Sequence, residues 1–144
     1  MSLLKAKIIR LKNLKKGKVF SQKIKITKQD IRSFCALSKD YSPIHTETKF
    51  AKVCGFRDQV AHGLLLGAKI SCCLGMRFPG ANFILQKIEM AFRKPVIPPI
   101  NLKIQAKIKH VSLAARQISV DITLSAKNIT YVECTAACVY LKRA

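Results

Sequence analysis

Two short stretches of the chain carry residue types able to move protons. Asp40-Tyr41-Ser42-Pro43-Ile44-His45 sets a carboxylate and an imidazole five residues apart, and His62-Gly63 follows seventeen residues after His45. Pro43, with φ held near about −65°, makes a tight turn that brings Asp40 and His45 towards one point. A water about 3 Å from both groups would be held and polarised there. General acid and base groups of this kind contribute ~10²–10⁴-fold each, and an imidazole titrates near enough to neutral pH to work in either direction. Gly63 falls where an apolar helix is expected to start, so its unpaired N–H and the positive end of the helix dipole can meet a developing negative charge. With no Cβ, glycine also admits a ligand closely.

Each of these residues has a plainer use. An aspartate before Ser-Pro shapes turns, a loop histidine such as His45 need do nothing, and a histidine placed like His62 commonly caps or packs against a helix start. His110 alternates with lysines on an expected strand and belongs to the surface.

The pattern of the chain supplies elements to hold the two stretches. Val19 to Ile26 alternates apolar and polar residues with period two and reads as a strand. Thr27 then caps a short helix with Asp30 as the acidic partner three residues on; Ile31, Phe34, Cys35 and Leu37 mark its apolar face. This helix ends near Ser38, which leaves Asp40 to His45 in a tight loop. A second short helix lies around Glu47 to Val53 and stops at Gly55. His62 to Phe78 is long enough for about four helical turns. It is apolar nearly all round, with Gly63, Gly67, Ala68, Ser71 and Gly75 spaced along it, and so should be wrapped on most sides. After Pro79-Gly80 four alternating stretches follow, about Phe83 to Phe92, Leu102 to His110, Arg116 to Leu124 and Tyr131 to Leu141. They read as consecutive antiparallel strands, and the whole as an α+β domain in which a curved sheet wraps a buried helix.

At 144 residues, 49% of them hydrophobic, the chain suffices for one core, so residues 1–144 are expected to form a single domain with 1–18 as a basic lead-in. The first residues lack the continuous apolar stretch of a signal peptide, and Val60 to Met76 is broken by His62 and Lys69, so a cytoplasmic chain without membrane insertion is expected. The six cysteines form no C-x-x-C pair and lie mostly in apolar runs, as reduced buried thiols do. On a strand, Cys134 and Cys138 would stand about 13 Å apart, too far to share a metal or a disulfide, and no metal or cofactor is expected.

The formal net charge of +20 predicts attraction to a polyanion. Specific nucleic-acid binding is not the expected use: the lysines alternate with apolar residues over several strands, as Lys23, Lys25, Lys103, Lys107 and Lys109 do, and tryptophan is absent. Phosphates of a cofactor-like substrate or an acidic carrier protein fit better, with Arg93, Lys94 and Lys69 as candidate contacts.

Asp40-Tyr41-Ser42-Pro43-Ile44-His45 followed by Val60-Ala61-His62-Gly63-Leu64-Leu65 resembles the two-part signature of the MaoC-like, (R)-specific enoyl-CoA hydratases, and the likeness continues through Phe78-Pro79-Gly80 and Phe92-Arg93-Lys94-Pro95-Val96. The resemblance implies a hotdog fold, a homodimer with each acyl channel near the interface, and reversible hydration of a trans-2-enoyl thioester of CoA or acyl carrier protein to the (R)-3-hydroxyacyl thioester. It implies Asp40 and His45 as the catalytic pair and Gly63 as the N–H donor to the thioester carbonyl; Ser42 and His62, beside them in the sequence, are further candidate substrate-binding positions. Two departures stand out. Ser42 takes the place of a common asparagine, which touches substrate positioning, and Pro98-Pro99-Ile100 replaces a Gly-Asp turn. A thioesterase on the same fold would not need His45 paired with Asp40. A protein that binds acyl thioesters without turning them over is the other rival.

Overall fold

The computed structural model describes residues 5–141. The cap expected at Thr27 forms: its hydroxyl accepts from the Asp30 N–H at 3.1 Å, and the Asp30 carboxylate accepts from the Thr27 N–H at 2.8 Å. Two orphan donors are satisfied reciprocally, which starts α1 (Lys28–Ser38) directly behind β1 (Val19–Ile26). Burial raises the Asp30 carboxyl, but hydrogen bonds from Lys69 and Thr27 outweigh it and leave the pKa below its ordinary value. The apolar face of α1 is shorter than its sequence pattern: Ile31 and Cys35 enter the core, Phe34 packs beside it, and Leu37 is 79% exposed.

Beyond α1 the chain is more helical than expected. α2 (Pro43–Thr46) is a single turn started by proline at its first position, and α3 (Thr48–Val53) follows at once. Proline suits that place because its missing N–H would have had no helical partner. The stretch read as one tight loop is thus a turn at Asp40 to Ser42 and then a helical turn carrying His45. Asp58 ties the next loop back. It accepts from Lys28 Nζ at 2.6 Å and from the Thr48 hydroxyl at 2.8 Å, and these bonds hold its carboxyl well below the usual carboxylate range.

α4 (Gly63–Met76) is the buried helix, with Leu65, Leu66, Ile70, Cys73 and Leu74 in the core. Each such aliphatic side chain contributes about 1.5–3 kcal/mol on burial. The helix is not wrapped on most sides, however. Leu64, Ala68, Ser71 and Cys72, spaced on one face, are exposed. The small residues let β2 (Phe83–Phe92) approach: a Cβ at Gly67 would stand 3.0 Å from the Met90 methyl.

β3 (Ile100–Ser112), β4 (Gln117–Ala126) and β5 (Ile129–Tyr140) complete one antiparallel sheet in the order β1-β3-β4-β5-β2. Two- to four-residue turns join β3 to β4 to β5, whereas β2 pairs with β5 and its connection to β3 crosses the sheet. Strict alternation explains why β3 and β4 bury Leu102, Ile104, Ile108, Val120, Ile122 and Leu124 on one face. Register shifts at Leu85/Lys87, Ile108/His110 and Leu124/Ser125 mark bulges, and bulges bend strands.

The basic lead-in is part of this packing. Leu11 and Leu14 are buried, and the Lys7 N–H donates to Met76 O at 2.9 Å while Lys7 O accepts from Ala81 N–H at 2.8 Å. Gly80, at φ +96°, leaves no room for a side chain beside the Lys7 carbonyl. Residues 1–4 and 142–144 lie outside the described part. All six cysteines are free; burial pushes Cys73, Cys134 and Cys138 up to about 11, while Cys54 and Cys72 are exposed. Among the described residues no helix is long and apolar enough to cross a membrane.

Candidate active site

Lys39 closes α1 in a left-handed conformation, φ 62°, and turns the chain back so that Asp40 faces the start of α4. One carboxylate oxygen of Asp40 accepts from the Ser42 N–H at 3.1 Å, an Asx-type turn that fixes the side chain while leaving it half exposed. His45, on α2, is oriented from behind: its Nδ1 lies 2.6 Å from Val60 O. A carbonyl can only accept, so Nδ1 carries the proton and Nε2 of the neutral ring keeps its lone pair for the site. Val60 is itself pinned, its N–H donating to Ile44 O at 3.1 Å.

His62 lies behind both. It is 3% exposed, its ring stacks on His45 with centroids 3.7 Å apart, and Phe34 covers it at 4.9 Å. Its Nε2 is 3.1 Å from Asp40 O, which makes Nε2 the protonated nitrogen, and the buried Nδ1 has no partner among the described residues. The structure therefore gives His62 a place beneath the pair, with no open face of the kind a substrate contact needs. Cys35 Sγ, 3.7 Å from the same Nε2, completes the floor. Neither this cysteine nor the Val60 carbonyl was singled out by spacing. A thiol in an apolar helix face looks like any core residue, and a backbone acceptor leaves no mark in a sequence.

One donor atom from each of Asp40, His45 and His62 falls within 4.8 Å of the others. That spacing would admit a cation, but His62 Nε2 is spent as a donor to a carbonyl, which leaves the Asp40 carboxylate and the His45 imidazole as the two groups able to hold a small ligand between them. A single water bridges such a pair well.

Gly63 is the first residue of α4, after His62 at φ −59° and ψ 139°. Among the described residues its N–H has no acceptor. It opens on a cavity of about 270 Å³ walled by Val60, Leu66, Phe92, Arg93, Lys94 and Val96. Val60 thus links the two halves of the site, one as cavity wall, the other as the acceptor that sets the His45 tautomer. Ser42 stands at the mouth of α2 with no cap bond from its hydroxyl. Of the basic residues expected to meet anions, Lys69 is paired with Asp30 at 2.7 Å and Arg93 with Glu133 at 2.7 Å; Lys94 lines the cavity.

A profile of the MaoC like domain matches residues 11–129. The chain belongs to the MaoC-like domain family. Within this family it is 34% identical over 84 residues to an (R)-specific enoyl-CoA hydratase of Rhodospirillum rubrum, a match covering 58% of each protein. It is 30% identical over 83 residues to a mitochondrial 3-hydroxyacyl-[acyl-carrier-protein] dehydratase of Arabidopsis thaliana, covering 58% of this chain and 49% of the relative. The MaoC-like chain thus spans about half to three-fifths of the length of these curated relatives. An R-hydratase of Pseudomonas aeruginosa superimposes with a TM-score of 0.87 at 23% identity, covering 94% of this chain and 88% of that one. The α+β fold is accordingly the hotdog.

Proposed function

We propose that this MaoC-like chain is a hydro-lyase that reversibly hydrates a trans-2-enoyl thioester, of CoA or acyl carrier protein, to the (R)-3-hydroxyacyl thioester. The observation that carries the reading is the meeting of Asp40 and His45 within 4.8 Å, beside a helix start whose Gly63 N–H is unpaired. In hydration, the lone pair on His45 Nε2 takes one proton from water as the water oxygen attacks C3, and Asp40 accepts a hydrogen bond from the O–H that stays on that oxygen, fixing its direction. The electron pair of the C2–C3 double bond moves towards the thioester oxygen, where the Gly63 N–H and the α4 dipole meet it. The proton then passes from His45 to C2, so that H and OH are added and nothing else is consumed. No metal or cofactor enters these steps.

The test is the absorbance of the conjugated thioester of a trans-2-enoyl-CoA during incubation with the protein, read beside free thiol. Loss of conjugation without thiol release is the expected result. Thiol release would replace this reading with a thioesterase, and no change with either carrier's thioester would replace it with a binding protein.

His62 is best read as a positioning residue for the pair, since it touches the Asp40 backbone and the His45 ring and is itself buried. His62→Leu removes one hydrogen bond worth about 1 kcal/mol. Steady-state kinetics should show kcat about fivefold lower with KM little changed. An unchanged kcat would mean that Asp40 is held without it.

The single-domain reading is supported by one core that runs from Leu11 to Cys138. A homodimer is the proposed assembly. Leu64, 66% exposed on the uncovered face of α4, and the outer edges of β1 and β2, unpaired among the described residues, are surfaces that a second copy would cover. Sedimentation at micromolar concentration should give twice the 16.1 kDa chain mass; a monomer refutes it. The cytoplasm remains the proposed compartment.

A further inference from the structure

A second concavity opens at the same end of the sheet as the Gly63 cavity, where β1 and β4 end and β3 and β5 begin. It measures about 710 Å³, and Lys23, Arg57, Lys103 and Lys127 reach into its lining beside Tyr131. Among the described residues no carboxylate lines it. Lys23 and Lys103 stand directly opposite each other across β1 and β3, and Ser125 is the partner of Lys103 on β4. Like charges placed opposite in a ladder repel and destabilise it. Among the described residues none of the four cations makes an ion pair, whereas Lys28, Lys69, Lys87, Arg93 and Lys109 all do. Lys127 is also held rather than trailing: it and Asn128, at φ 47° and 63°, form the two-residue turn between β4 and β5.

The pocket is tied to the proposed active site by two links. Val96 lines the Gly63 cavity and Pro99 lines the basic one, so at most about 11 Å of chain separates the two walls. Tyr131 lines the basic pocket, and its carbonyl accepts from the Arg93 N–H at 2.8 Å, which fixes the rim of the other. A ligand with phosphates in the basic pocket and a flexible arm reaching into the Gly63 cavity matches that layout. The volume is that of a small-molecule site rather than a protein-docking face.

Resting on the enoyl-thioester reading above, we infer that Lys23, Arg57, Lys103 and Lys127 form the site for the phosphorylated adenosine end of coenzyme A, so that the substrate carrier is CoA. The cations neutralise the phosphates, Tyr131 offers a face for the adenine, and the pantetheine arm runs along the Val96–Pro99 wall to the thioester at Gly63.

The probe is adenosine 3′,5′-bisphosphate, titrated calorimetrically into the full chain, the Lys23→Gln/Lys103→Gln variant, and Lys87→Gln as a control on the opposite edge strand. Saturable binding is expected, at least tenfold weaker in the double variant, unchanged in the control and weakened by salt. In kinetics, the double variant should lose about tenfold in kcat/KM for an enoyl-CoA relative to the same acyl group on N-acetylcysteamine, which has no nucleotide. Absence of bisphosphate binding, or equal binding in all three proteins, overturns the assignment. So does a loss confined to the acyl-carrier-protein substrate, which would make the patch a carrier-docking surface. If no thioester is hydrated, the hydratase reading falls, and the calorimetry still decides the pocket.

Discussion

Asp40→Asn and His45→Gln are each expected to yield a folded protein whose turnover of a trans-2-enoyl thioester is ~10²–10⁴-fold lower. The size follows from what each change removes. Asparagine retains an oxygen that can accept from the Ser42 N–H, so the turn survives, but it carries no charge to orient water or to balance an imidazolium. Glutamine can still donate to the Val60 carbonyl, but its other end has no basic lone pair. Asp40 is 50% exposed and His45 half-buried, so neither substitution opens a cavity, and thermal unfolding should shift by no more than about 1 kcal/mol. That separation of activity from stability is what makes the test sharp. Hydration persisting at near wild-type rate in either variant would remove that residue from the chemistry. A thioesterase using Asp40 alone would lose activity in the first variant and keep it in the second.

The parts of this molecule that could be read in its sequence are those in which one residue type has one physical use. Thr27 and Asp30 announce a helix start because a hydroxyl and a carboxylate three apart can each accept from the other's otherwise unpaired backbone N–H. The strands are legible through alternation, and their bounds shift by only a few residues because a one-residue slip would turn Ile104 or Ile122 out to water. Pairing order is not local. Nothing in Phe83 to Phe92 says that it joins β5 instead of the strand that follows it. The face of α4 that carries Leu64 and Ala68 also misled, since an all-round apolar helix looks the same whether a sheet or a second chain covers it. At the site, Asp40, His45 and Gly63 stand out because few side chains handle protons and only one lacks a Cβ. The function of His62 is illegible alone: a core histidine and a substrate contact have the same letter, and only the stacking on His45 separates them. The basic pocket was missed for the same reason. Lys23 and Lys103 each look like the solvated side of a strand, and their opposition exists only after β1 and β3 pair.

Gly63 permits the second large test, because its place in the helix lets the N–H be deleted without breaking the fold. At the first position of a helix the N–H bonds to nothing inside the helix, and proline is tolerated there. The preceding residue must then avoid helical angles, and His62 at φ −59° and ψ 139° already does. What proline adds besides losing the proton is a side chain, and a Cβ at this position would stand 2.9 Å from the Phe92 ring. Phe92 is 50% exposed and can swing outward, so Gly63→Ala measures that displacement with the N–H still in place. The difference between the two variants isolates the donor. Loss of one such oxyanion donor costs about 10²–10³-fold in kcat. Gly63→Pro should therefore fall that far below Gly63→Ala, while far-ultraviolet circular dichroism shows α4 intact in both. Near wild-type activity in both variants would mean that the thioester oxygen is met elsewhere, and the cavity beside Gly63 would then be the place of the acyl chain rather than of the carbonyl. An effect as large in alanine as in proline would assign the role of this glycine to close approach alone, with Phe92 as the wall that a side chain cannot share.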